Sequence, residues 1–169
     1  RRVVVEGGRE VLEELQKRGY TLGIISNLIG TREIPDWLEA EDFSRFFKSV
    51  VLSSVFGKRK PDASVFFEAA RRAGVDPSKC AYVGDNLKRD VTGTRAAGFG
   101  QIIIMISPEE LAEEVVLPVH AGVRHVQVAD AAAALLRDER AVVLDPRAVA
   151  QVGLARDGLH EHVALAGGG

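Results

Sequence analysis

The apolar residues of this chain fall into short solid runs separated by stripes of helical period. Val11, Leu12 and Leu15 recur at three- and four-residue spacing, which predicts an amphipathic helix over 8–18 that Gly19 ends. Leu22, Gly23, Ile24 and Ile25 form a brief run stopped by Ser26 and Asn27, as expected of a strand buried on both faces. Trp37, Leu38, Phe43, Phe46 and Phe47 read as a less regular helical stretch whose aromatic rings pack as core, and 49–53 reads as a second buried strand. Pro61 suits the first turn of a helix whose inner face is Val65, Phe66, Ala69 and Ala70 and which stops near Gly74. A third strand over 80–83 runs into Gly84-Asp85-Asn86, and a helix carrying Val91 and Ala96 ends at Gly98. A fourth strand is expected over 102–106 and a short fifth over 125–128, with 141–144 as one more candidate.

Buried strands alternating with amphipathic helices predict a doubly wound α/β fold, a parallel sheet with helices on both faces. Ligands of such sheets bind outside the carboxyl ends of the strands, where Ser26, Asn27, Ser53 and Asp85 all fall. At roughly 100–200 residues per domain, the 169 residues make one domain. Its expected division is a core over 1–138 and a partly flexible extension over 139–169 that ends in three glycines.

Composition narrows the function. Hydrophobic residues at 46% and charged residues at 27% are those of a chain that buries a core, and the formal net charge of −2 provides no field for nucleic acid or an anionic membrane. The single cysteine, Cys80, opens a strand among apolar neighbours and reads as an inert core thiol. One cysteine makes no internal disulfide, so a reducing, cytoplasmic setting is expected. No apolar run approaches the roughly 18 residues of a membrane span. The chain begins Arg1-Arg2-Val3 and its one methionine is Met105, so it is read as part of a longer protein.

Three pieces at successive strand ends could carry chemistry. Ser26 and Asn27 can both donate hydrogen bonds to a phosphate oxygen. Lys60, in Gly57-Lys58-Arg59-Lys60-Pro61-Asp62, precedes a helix and can point its ammonium at a phosphate. Gly84-Asp85, with Asp90 five residues beyond Asp85, offers the hard carboxylate oxygens that Mg²⁺ prefers. Each alone is equally consistent with a turn, a solvated basic loop or a helix cap. His160-Glu161-His162, near the flexible end, reads as a solvated segment, and no zinc site is expected there.

In this order, the three pieces resemble the haloacid dehalogenase superfamily: Ser-Asn as its second motif, Lys-Pro as its third and Gly-Asp-x-x-x-x-Asp as its fourth, over 6–106. The resemblance looks closest to the cap-bearing, phosphatase-like branch. It implies that Ser26 and Asn27 bind the transferred phosphoryl group. It also implies that Lys60 steadies the charge on nucleophile and phosphate, and that Asp85 and Asp90 hold Mg²⁺, Asp90 directly or through water. Lys58 and Arg59 match no motif position. Phosphoryl transfer spreads negative charge over equatorial oxygens, and a metal, a lysine and hydrogen-bond donors stabilise that charge.

The family's first motif, an aspartate nucleophile with a second aspartate two residues on, should end a strand upstream of all these. Val3-Val4-Val5-Glu6 holds no aspartate, while Asp36 and Asp42 lie in a helical connection. That first strand occupies the middle of the family's sheet, so its loss is expected to leave two inner edges unpaired. The expectation is therefore that the strand, its nucleophile and a cap lie upstream, or arrive on another chain. The function expected is a Mg²⁺-dependent phosphatase of a small phosphorylated metabolite, of which this chain alone is inactive. The alternatives are a noncatalytic phosphate- or protein-binding module and a 2-haloacid dehalogenase, which does not use the metal. Neither nucleic acid nor a membrane is an expected partner.

Overall fold

A computed structural model of the chain describes residues 8–105, 124–126 and 141–144. Its elements are α1 (Gly8–Lys17), β1 (Thr21–Ser26), α2 (Glu33–Ala40), β2 (Phe47–Leu52), α3 (Ser53–Phe56), α4 (Ala63–Ala73), β3 (Cys80–Gly84), α5 (Leu87–Ala96), β4 (Gln101–Met105), β5 (Arg124–Val126) and β6 (Ala141–Leu144). Among the described residues, six strands run parallel in one sheet of order β2-β1-β6-β3-β4-β5. The doubly wound α/β expectation therefore holds. No helix among the described residues is long and apolar enough to cross a membrane. His160, Glu161 and His162, like Val3, Val4 and Val5, lie outside the described residues.

Successive strand residues feed opposite layers, as the pleat requires. Leu22, Ile24 and Val83 pack with Val11, Leu12, Leu15, Ile34 and Leu38 on the face covered by α1 and α2, where Phe43 stacks edge-on against Trp37 and Phe46. Ile25, Val51 and Tyr82 pack with Val65, Phe66, Ala69 and the fully buried Cys80 on the face covered by α4. Glycine supplies the helix stop where the sequence places it: Gly74 caps α4 with φ 74°, and its N–H donates to the carbonyls of Ala70 and Arg71 in the last turn. Two local readings need correction. Pro61 stands before α4 and not within its first turn, because Asp62 is the N-cap and its carboxylate accepts from Ser64 N. Phe47 opens β2, since Asp42 at φ 52° has already turned the chain out of α2.

The larger correction concerns the middle of the sheet. The two inner edges expected to stand open are paired, and the strand between them is β6, from the segment assigned to the extension. Val142 pairs with Leu22 on one side and Ala81 on the other, and Leu144 with Ile24 and Val83. Unpaired backbone groups inside an apolar sheet are costly, and a short apolar run of the chain itself satisfies both edges.

Candidate functional site

The chain leaves β1 toward β2 in one direction and reaches β3, β4 and β5 in the other, so the order of the sheet reverses between β1 and β3. The crevice of a doubly wound sheet lies at such a reversal, outside the carboxyl ends. Ser26, the last residue of β1, is 5% exposed there, and Asp85 directly follows β3. Asp90, four residues into α5, turns back toward that strand end, its Oδ2 accepting from Asn86 N at 3.2 Å. Gly84 makes this approach possible, because a Cβ there would collide with Asp90 Oδ2 and the Tyr82 ring. Gly84→Ala is accordingly expected to cost about 1–3 kcal/mol through overpacking, and to shift Asp90. Thermal melts and a Mg²⁺ titration of the variant check both effects.

Lys60 is held at the centre of the group. Its ammonium is buried, 3.0 Å from Asp90 Oδ1, and donates to Tyr82 Oη at 2.6 Å. A buried cation needs both a counter-charge and acceptors, and these two side chains supply them. The loop that delivers Lys60 is fastened to β1's end by Asn27, whose Nδ2 donates to Lys60 O at 3.0 Å and whose Oδ1 accepts from Lys60 N at 2.9 Å. The Asn27 side chain thus positions Lys60. The Lys60–Pro61 peptide is cis. Arg89 lies across the two acids, with Nη2 3.7 Å from Asp85 Oδ1 and Nε 3.4 Å from Asp90 Oδ1.

Sequence reading finds Ser26, Asn27, Lys60, Asp85 and Asp90, and the structure brings them to one edge. It misses Tyr82 and Arg89. Tyr82 carries the one polar-tipped side chain in an otherwise apolar strand, a signal that could have marked it. Asp36 and Asp42 stay away from the strand ends, in and just after α2. Lys58 is exposed and pairs with Asp62 at 3.0 Å.

Asp85 and Asp90 are hard oxygen donors on a strand end and the helix that follows. Among the described residues no three His, Cys, Asp or Glu side chains gather. Mg²⁺ needs no such cage: it retains waters and takes one or two carboxylates with phosphate oxygens. This donor set fits Mg²⁺, with the less buried Asp85 as the accessible ligand and Asp90 already engaged by Lys60 and Arg89.

Residues 3–104 match the family model of haloacid dehalogenase-like hydrolases. The chain is 36% identical over 108 residues to the haloacid dehalogenase-like hydrolase domain-containing protein 3 of Bos taurus, covering 64% of this chain and 42% of that protein. It is 36% identical over 87 residues to the glyceraldehyde 3-phosphate phosphatase of Methanopyrus kandleri, covering 52% of this chain and 37% of that one. A HAD phosphatase structure from Thermococcus onnurineus shares the fold with a TM-score of 0.60 at 22% identity, over 78% of this chain and 57% of that chain. The chain spans about two fifths of the length of these curated relatives.

Proposed function

Since the chain belongs to the haloacid dehalogenase-like hydrolases, we propose that it is the phosphate- and metal-holding part of a Mg²⁺-dependent phosphatase acting on a small phosphorylated metabolite. What supports this most is the buried Lys60–Asp90–Tyr82 cluster beside Ser26 and Asp85, at the point where the sheet reverses. A buried lysine fixed by a carboxylate and a phenol is a preorganised positive charge, the kind that stabilises a phosphoryl group in transit. Ser26 and the backbone around Asn27 donate hydrogen bonds to the phosphoryl oxygens. Asp85 would hold Mg²⁺ and Asp90 would support it, directly or through water, while Asp90 also fixes the aim of Lys60. When bound, the metal neutralises phosphate charge.

The attacking carboxylate, on this reading, ends a strand upstream of Arg1, with a cap that selects the substrate. Such a strand would take the place of β6 between β1 and β3. A second reading is favoured by β6 itself, since it already fills that place and the residue that follows it in the sequence is Asp145. There the chain's own Asp145 supplies the nucleophile. Phosphate release from a panel of phosphoesters, with and without Mg²⁺, separates the two. Turnover only after the upstream sequence is restored supports the first reading, and turnover of the present chain abolished by Asp145→Asn supports the second. Phosphate binding without turnover in either form would point to a noncatalytic module, and turnover of a haloacid without Mg²⁺ to a dehalogenase.

A further inference from the structure

An open cavity of about 380 Å³ is lined by Leu28, Ser53, Gly57, Lys58, Arg59 and Asp62. It is built from the neighbours of the site residues: Leu28 follows Asn27, and Arg59 precedes Lys60. Its wall is fixed, because Ser53 Oγ accepts from Leu28 N at 2.9 Å and donates to Leu28 O at 3.0 Å, tying the loop after β1 to the start of α3. Two of its three charges cancel. Asp62 holds Lys58 at 3.0 Å and also accepts from Ser64 N and Oγ, at 2.9 and 2.6 Å. Those Ser64 bonds, with Lys58, draw the Asp62 carboxyl down to about 2, which keeps it ionised opposite Lys58. Arg59 is exposed and, among the described residues, makes no ion pair or side-chain hydrogen bond.

Resting on the phosphatase reading, we infer that Arg59 is a specificity residue that receives a second anionic group of the substrate, so that phosphorylated carboxylic acids bind in preference to phosphorylated alcohols. Lys60, one residue later, is turned inward and buried on Asp90 and Tyr82, while Arg59 faces the cavity. Consecutive cations thus serve the two ends of one ligand: the inner one the phosphoryl group, the outer one a carboxylate. A guanidinium fork matches a carboxylate with two parallel hydrogen bonds, which an alcohol cannot reproduce.

Calorimetric titration of the whole chain in Mg²⁺ tests this with three probes: inorganic phosphate, 3-phosphoglycerate, and glycerol 3-phosphate, which carries a hydroxymethyl group in place of the carboxylate. The preference for 3-phosphoglycerate over glycerol 3-phosphate is expected to be about three- to tenfold, the range of a partly exposed charge-assisted pair. Arg59→Gln should abolish it and leave inorganic phosphate affinity unchanged. Equal affinities in the wild type, or a preference that survives Arg59→Gln, would overturn the inference while the phosphate site stands. Failure of inorganic phosphate to bind would remove the phosphatase reading itself, and the inference with it.

Discussion

Lys60→Met is expected to lower stability by about 3–5 kcal/mol, the cost of leaving a buried carboxylate without its partner. Asp90 has no access to water through which to recover that loss, and Arg89 at 3.4 Å is only partly buried. The same variant should lose phosphate binding. Because a misfolded protein would also fail to bind, the informative partner is Lys60→Met with Asp90→Leu. Replacing both members of a buried pair by apolar groups is often near neutral, so the double variant should recover most of the stability, less about one hydrogen bond from Asn86 N. It should still bind neither phosphate nor Mg²⁺. Chemical denaturation gives the first comparison and calorimetry the second. Recovery of phosphate binding together with stability would mean that Lys60 only supports the fold.

Val143→Pro is expected to be the next most damaging change. Val143 sits opposite Gly23 on one side and Tyr82 on the other, so proline removes a ladder hydrogen bond in the middle of a six-stranded sheet. A loss of about 3 kcal/mol or more corresponds to a fall in Tm on the order of 10 °C. A thermal melt followed by circular dichroism reads it directly. An unchanged melt would show that another segment takes the position between β1 and β3 in solution.

The strand ends and their chemistry were legible because each is local. An apolar run that stops at Ser-Asn or Gly-Asp declares both the strand and the polar group it presents. The aim of Lys60 was less legible, for it depends on Asn27, 33 residues away, gripping its backbone, and on Tyr82 reaching across from β3. Lys58, Arg59 and Lys60 look alike in sequence, and only packing distinguishes the buried one from its two exposed neighbours. The position of β6 could not be read at all. Ala-Val-Val-Leu declares a strand, but nothing in four apolar residues names the edges it joins, and that choice was made by two unsatisfied edges elsewhere.

Where β6, and not an upstream strand, closes the sheet, the order of synthesis matters. β1 and β3 have left the ribosome well before their common partner exists, since 56 residues separate Gly84 from Ala141. At a synthesis rate of about 5–20 residues per second, the β3 edge waits on the order of 3–11 s for it and the β1 edge about twice as long. During that interval the nascent chain exposes two apolar, hydrogen-bond-hungry edges at its centre. The centre of the finished sheet is on that reading exposed while the chain is being born, and crowded expression should favour aggregates seeded there.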